Sequence, residues 1–311
     1  MSTEARLYTE RDRDDWDAVV RRSRSGHFFF LRDYLDYHAD RFADSSLLVY
    51  EEGRLRSVLP ANRVGDDAVS HGGLTFGGVL SDSSMSANGM LRAVESILER
   101  FRSVGVTRLV YKPVPHAYHL VPAEDDLYAL YRAGARLVGR DLSAAIRLDE
   151  RLPYTKGRRS ALKRGRAAGI SVEASERFEE FIDLATANLE RHDAVPTHSG
   201  FELAALGRRF PENIRLFTAV AEEEVIAGVV VYETPVLAHT QYIASSQSGR
   251  ELAAVDVLID HLIERYAGKK RWFDFGISTE NGGATLNEGL ARNKESYGAR
   301  ALVYDRYLID L

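Results

Sequence analysis

The sequence predicts an α/β protein with mixed sheets, built as two halves. Three observations carry this. Strand-like apolar runs alternate along the chain with stretches of helical period. The order hairpin, long helix, strand, short helix, strand fills the first half, and strands around a long helix follow again in the second. Finally, 311 residues, 45% of them hydrophobic, suit two cores of roughly 150 residues each.

Arg11–Arg24 has helical period through Trp16, Val19 and Val20. His27–Arg41 carries a dense aromatic run (Phe28, Phe29, Phe30, Tyr34, Tyr37), read as a loop into an amphipathic helix. Ser46–Glu51 and Leu55–Asn62 form a hairpin about Glu52-Gly53. His71–Val79 sets four glycines around an aromatic. Met85–Val104 is a long helix with Leu91, Val94, Ile97, Leu98 and Phe101 on one face, ended by Gly105. Arg108–Lys112 is a strand stopped by Pro113 and Pro115, Asp126–Arg132 a short helix, and Ala135–Asp149 a strand region. In the second half Pro153–Ile170, Phe178–Leu189 and Phe201–Arg209 read as helices. Ile214–Ala221, Val225–Thr234 and Leu237–Ser245 read as strands, Leu252–Tyr266 as the long helix, and Arg271–Phe275 and Ala301–Leu311 as closing strands.

Composition narrows the function classes. There is no cysteine, which excludes disulfides, thiolate chemistry and Cys-ligated metals. No apolar stretch reaches the ~20 residues needed to cross a bilayer, and MSTEARLYTERDRDD lacks the apolar core of a signal peptide, so a cytoplasmic protein is expected. A net charge of −5 gives no global drive toward nucleic acid, so any phosphate-rich partner must meet a local basic patch.

The most informative stretch is Trp272–Gly298, WFDFGISTENGGATLNEGLARNKESYG. An aromatic strand holding Asp274 breaks at Gly276 into a polar loop with Gly282-Gly283, and a short helix with Lys294 and then Tyr297-Gly298 follow. Charged and flexible residues at a strand end mark a ligand position in α/β folds, although Asp274 reads equally as a strand-end Asp paired with backbone. FDFG, the NEGL turn, NKESYGAR and the closing strand resemble the C-terminal half of Fem-type (FemABX-like) members of the GNAT acyltransferase superfamily. Their motif is a strand ending Asn/Asp-Phe-Gly, a glycine-containing loop, Phe-Lys-x-x-Phe-Gly and a last strand. Lys294 and Gly298 match it; Asn293 and Tyr297 stand at its aromatic positions, and the Asn is a departure.

The resemblance implies two tandem GNAT-like halves (acyl-CoA N-acyltransferase fold): 1–152 on the acceptor side, 153–311 on the acyl-donor side. It implies an N-acyltransferase forming an amide bond on an acceptor amine, a small molecule or cell-envelope precursor, with aminoacyl-tRNA as donor and no tightly bound cofactor or metal. It gives Lys294 the role of stabilising the oxyanion or the leaving ribose hydroxyl, with Asp274 and Gly276 beside it. A surface Lys294 paired with Glu288 or Glu295 is the structural alternative. An acyl-CoA-dependent N-acetyltransferase acting on an amino sugar or cell-envelope precursor is the second functional reading, and a non-catalytic GNAT-like binding module the third.

Further candidates follow from local chemistry. PYTKGRRSALKRGRAAGI holds Lys156, Arg158, Arg159, Lys163, Arg164 and Arg166 with no acid; Arg159, Lys163 and Arg166 share a face and suit phosphate or tRNA, or else a solvated linker helix. After Leu237–Ser245, ordinary GNAT enzymes carry (Arg/Gln)-x-x-Gly-x-(Gly/Ala) for the coenzyme A pyrophosphate; here SSQSGRELAAV has the wrong spacing and adds Glu251 and Asp256, a degenerate loop. Lys112, His116, Tyr118 and His119 crowd a proline-stiffened loop. Fem-type proteins often carry Asp-Pro there. Lys112 departs from it, leaving His116 or His119 as base, or as structural residues. His71, in the Gly-rich segment, is placed on an acceptor wall. His192 and His198, in HDAVPTHS, are candidates for the acyl cleft, with helix capping by Thr197 or Ser199 as the alternative.

Overall fold

A computed structural model of the chain describes residues 2–189 and 198–311. The first elements are β1 (Thr3–Leu7), α1 (Arg13–Arg22), β2 (Leu47–Glu51), β3 (Arg54–Leu59), β4 (Asn62–Val64) and β5 (Asp67–Val69). Then come α2 (Ala87–Ser103), β6 (Arg108–Tyr111), α3 (Asp125–Arg132) and β7 (Arg136–Arg147). The basic segment forms α4 (Lys156–Ala167), followed by β8 (Ser171–Ser175), α5 (Phe178–Leu189) and α6 (Gly200–Arg209). β9 (Ile214–Ala221), β10 (Glu224–Glu233), β11 (Leu237–Ser245), α7 (Gln247–Glu251), α8 (Ala254–Tyr266) and β12 (Trp272–Ile277) come next, and α9 (Glu288–Glu295) and β13 (Arg300–Asp310) close the chain. Among the described residues no helix is long and apolar enough to cross a membrane.

The chain forms two compact units: residues 1–142 with 279–285 and 303–311, and residues 143–278 with 286–302. A single division at 152 does not describe them. The reason lies in strand pairing: Tyr307–Asp310, at the end of β13, pair antiparallel with β6, so the chain's last strand completes a sheet of the first unit.

In the first unit β1, β2, β3 and the two-residue strand Leu80–Ser81 form one antiparallel sheet. β13, β6, β5, β4 and the short strand Ala43–Asp44 follow one another in a second. α2 begins at Ser86, whose side chain accepts from the Gly89 N–H at 3.1 Å. Its buried residues Met90, Ala93, Val94, Ile97, Leu98 and Phe101 recur at helical spacing and join Leu47, Val49, Leu109 and Tyr111 in one core. β1 carries little sequence signal, because only Ala5 of TEARL is buried and antiparallel pairing with β2 holds the rest.

The second unit has the sheet order β8-β9-β10-β11-β12 and then the end of β7. β11 and β12 are parallel through Leu237↔Trp272, Ala238↔Phe273 and His239↔Asp274; the other neighbours are antiparallel. β9 and β10 are apolar on nearly every residue, and α8 covers their sheet with Leu258, Ile259, Leu262 and Ile263. α4 lies close on α8 at Gly165, where an added Cβ would meet Val257 Cγ2 at 2.6 Å and the Ala253 carbonyl oxygen at 3.0 Å. Only glycine admits that approach.

Candidate active site

Asp274 sits in the middle of β12 and is fully buried. A carboxylate in such a place needs partners. His239, directly opposite on parallel β11, brings Nδ1 to 2.7 Å from Oδ2. Ser143, on β7, donates its hydroxyl to Oδ1 at 2.8 Å, and the Gly276 N–H donates to the same oxygen at 3.2 Å. The β12–β7 register shifts between Asp274 and Ile277, which bends the strand as the chain leaves the sheet. Gly276 lies in that bend with φ of +76°, and a Cβ there would stand 3.1 Å from His239 Cε1. Both the backbone and the space require glycine.

α9 starts at Asn287, whose side chain accepts from the Leu290 N–H at 3.0 Å. It delivers Lys294 to the same bend. Nζ donates to the carbonyls of Gly276 at 2.8 Å and Ile277 at 2.6 Å, with the residue only 5% exposed. The surface pairing with Glu288 or Glu295 is therefore not what the fold uses. Burial pushes the Lys294 ammonium down to about 8, with the Asp274 charge pulling the other way. Asp274, Gly276 and Lys294 thus lie together, and His239 and Ser143, which the sequence did not single out, join them. In β11 His239 heads a polar run, His239-Thr240-Gln241, and only the parallel register sets it against an Asp 35 positions on.

Lys112, His71, Tyr118, His119 and His116 all belong to the first unit. Lys112 is buried, and its Nζ donates to the carbonyls of His71 (2.7 Å) and Leu74. Burial, then the Arg306 charge, push it down to about 8. The Gly-rich segment closes over it: the Gly77 N–H donates to the Lys112 carbonyl at 2.8 Å, and His71 is buried with φ of +62°. His119 is buried with Nε2 2.9 Å from the Val114 carbonyl oxygen, and burial pushes its imidazole down. Tyr118 is buried against Phe76, its hydroxyl 3.4 Å from that of Tyr304. His116 is exposed on the short turn His116–Tyr118. In the second unit His198 is buried, with Nδ1 2.8 Å from the Tyr242 hydroxyl of β11. His192 lies outside the described residues.

The basic helix is partly neutralised by its neighbour. Arg158 reaches Asp256 of α8, donates to the Tyr297 hydroxyl at 2.9 Å and stacks over that ring at 3.7 Å. Arg166 pairs with Asp260 at 2.6 Å. Arg159 and Lys163 are exposed, and Arg159 also holds the Tyr154 carbonyl. Beside this helix an open groove of about 890 Å³ is lined by Thr155, Arg158, Asp256, Arg292, Ser296 and Arg300, among others. The loop after β11 folds into α7. The Ser246 side chain takes the Gly249 N–H at 3.0 Å, the Ser246 carbonyl takes the Arg250 N–H at 3.1 Å, and the Ser248 carbonyl takes the Leu252 N–H at 2.9 Å. Those N–H groups are committed within the loop.

Known proteins point the same way. Residues 154–283 match the family described as acetyltransferase (GNAT) domain. No curated protein matches the chain in sequence. The solved structure of FemX is similar, with a TM-score of 0.69 at 13% identity, covering 99% of this chain and 97% of that one. So is L-PGS from Bacillus licheniformis, with a TM-score of 0.59 at 14% identity over 89% and 90% of the two chains. A tandem GNAT protein from the clavulanic acid biosynthesis pathway gives a TM-score of 0.51 at 14% identity over 99% and 98%. Residues 154–283 thus match the GNAT acetyltransferase domain family, in a chain whose fold, two GNAT-like halves with mixed sheets, is similar to that of FemX and of the tandem GNAT protein.

Proposed function

We propose that the protein transfers an aminoacyl group from aminoacyl-tRNA to an acceptor amine, forming an amide. The observation that carries this reading is Lys294. Two of its three N–H donors are fixed on the Gly276 and Ile277 carbonyls, so the ammonium is held in place beside Asp274 with one donor left for a ligand. A preorganised cation of this kind suits the oxyanion that forms when an amine attacks an ester, or the ribose hydroxyl that leaves. The drifted loop after β11 supports the choice of donor, because its spacing departs from the pyrophosphate motif and it places the Glu251 carboxylate in α7. The exposed cations of α4, Arg159 and Lys163, with Arg166, would meet tRNA phosphates. Within the second unit Asp274 serves the reacting centre and His198 the acyl side; in the first unit Lys112, His71, Tyr118 and His119 are the residues offered to an acceptor. The acceptor is a small-molecule or cell-envelope amine, and the site of action is the cytoplasm.

The acyl-CoA reading keeps one observation in its favour: the family matched over residues 154–283 is described as acetyltransferase. The deciding experiment incubates the protein with labelled aminoacyl-tRNA or labelled acetyl-CoA and a panel of amino sugars, cell-wall precursors and small peptides. Label moving from tRNA into an amide is the expected result. Transfer from acetyl-CoA alone, with coenzyme A binding by calorimetry, would replace the proposal with its rival.

A further inference from the structure

We infer that His239 is the general base of the transfer, held in position by Asp274; this rests on the acyl-transfer reading above but not on which donor is used. The two residues face each other on parallel β11 and β12, and theirs is the last pair in that ladder: β11 runs on to Ser245 and β12 to Ile277 without pairing further. They therefore stand at the carboxyl end of the paired region, where α/β sheets open toward ligands.

The roles within the pair follow from burial and valence. Asp274 is fully buried, and both carboxylate oxygens are engaged, Oδ2 by His239 and Oδ1 by Ser143 and Gly276. It cannot itself reach a substrate. A carboxylate only accepts, so the hydrogen on the imidazole resides on Nδ1 and Nε2 presents a lone pair. The His239 side chain is 16% exposed, whereas Asp274 is 0%. No other hydrogen bond to the His239 ring is found among the described residues. Gly276 leaves the outer edge of the ring uncovered, since its missing Cβ would lie 3.1 Å from Cε1 and 3.9 Å from Nε2. The carbonyl of that same glycine holds Lys294. An acceptor for an amine proton and a cation for a developing oxyanion thus border one residue. His116 and His119 share no unit with Lys294.

The step balances without a further reagent. The amine nitrogen forms a bond to the acyl carbonyl carbon, and the C=O electron pair moves onto oxygen beside Lys294. That pair then re-forms the C=O as the bond to the leaving group breaks, its electrons departing on the ribose oxygen of an ester donor or the sulfur of a thioester donor. The proton lost by nitrogen passes to His239 Nε2 and ends on that leaving atom.

The test uses the full chain with alanyl-tRNA as donor, acetyl-CoA in a parallel arm, and two small nucleophiles, methylamine and hydroxylamine. Methylamine is mostly protonated at neutral pH, gives that first proton to water, and once bonded to carbon holds its second tightly enough to need a base; hydroxylamine is largely neutral, and its weakly basic nitrogen sheds its proton to water once bonded, so it depends far less on a base. In His239→Gln, kcat with methylamine should fall about 10²–10⁴-fold with donor KM within a few-fold. Enzyme-dependent transfer to hydroxylamine should stay near wild type, and added imidazole should restore part of the methylamine rate to His239→Ala. Asp274→Asn should lower kcat while KM holds, and nitrogen NMR of the His239 ring should show the hydrogen leaving Nδ1. Equal losses with both nucleophiles, or undiminished methylamine transfer, would overturn the assignment. A wild type inactive with both donors would instead overturn acyl transfer itself.

Discussion

Lys294 is an ammonium in a place where burial disfavours charge, and the same is true of Lys112. Each is pushed from 10.5 down to about 8, mainly by burial. Between about pH 8 and 10 the unfolded chain then binds more protons than the folded one, so stability rises with pH. The gain is at most about 3 kcal/mol per lysine. Activity should move the other way, because a neutral amine offers no charge to an oxyanion. Urea midpoints should therefore increase between pH 7 and 9.5 while kcat declines, and Lys294→Met should weaken both trends. Above pH 10 the half-buried phenol of Tyr154 and the buried ones of Tyr266 and Tyr297, all pushed up by burial, reverse the stability trend, since they keep protons that the unfolded chain loses. At pH 7 Lys294→Ala should lose about 3–4 kcal/mol of transition-state stabilisation, measured as a drop in kcat/KM, with the circular dichroism spectrum retained. Lys294 and Asp274 could be picked out from the sequence because their motif is contiguous. His239 could not: its partner is supplied by a parallel ladder, and nothing local to LAHTQYIAS announces which strand will lie beside it.

Helix α4 shows how an element's meaning depends on what it packs against. Read alone, its six cations without an acid require an outside anion. In the fold α8 supplies two, Asp256 to Arg158 and Asp260 to Arg166. The side chains of Arg158 and Asp256 are only 11% and 14% exposed, so removing one strands the other. Arg158→Ala should cost about 3 kcal/mol, visible as a lowered thermal midpoint. Arg159→Ala and Lys163→Ala should change stability by less than about 0.5 kcal/mol. Each should instead reduce the salt dependence of RNA binding by a slope of roughly one in log–log form. α2 matched its sequence signal closely, because its burial repeats at helical spacing. β1 and α7 were invisible: the first is mostly polar and held by pairing, and the second is five residues stabilised by a serine cap.

At the scale of the molecule, the sequence conveyed two halves but not their exchange of strands. β7 runs across 142/143 and β13 across 302/303, so each contributes residues to both units. A repeat visible only as an order of elements cannot reveal such sharing. A fragment of residues 1–152 lacks 303–311 and with it the antiparallel partner of β6. Expressed alone it should fail to fold, giving poor amide dispersion in NMR, and adding residues 303–311 through a flexible linker should restore dispersed signals. The arrangement also sets a clock on synthesis. One flank of Arg108–Tyr111 stays unclaimed until Tyr307–Asp310 emerge from the ribosome, about 200 residues later. At ~5–20 residues per second that is ~10–40 s during which a nascent chain carries an open strand edge, the hazard that chaperones exist to cover.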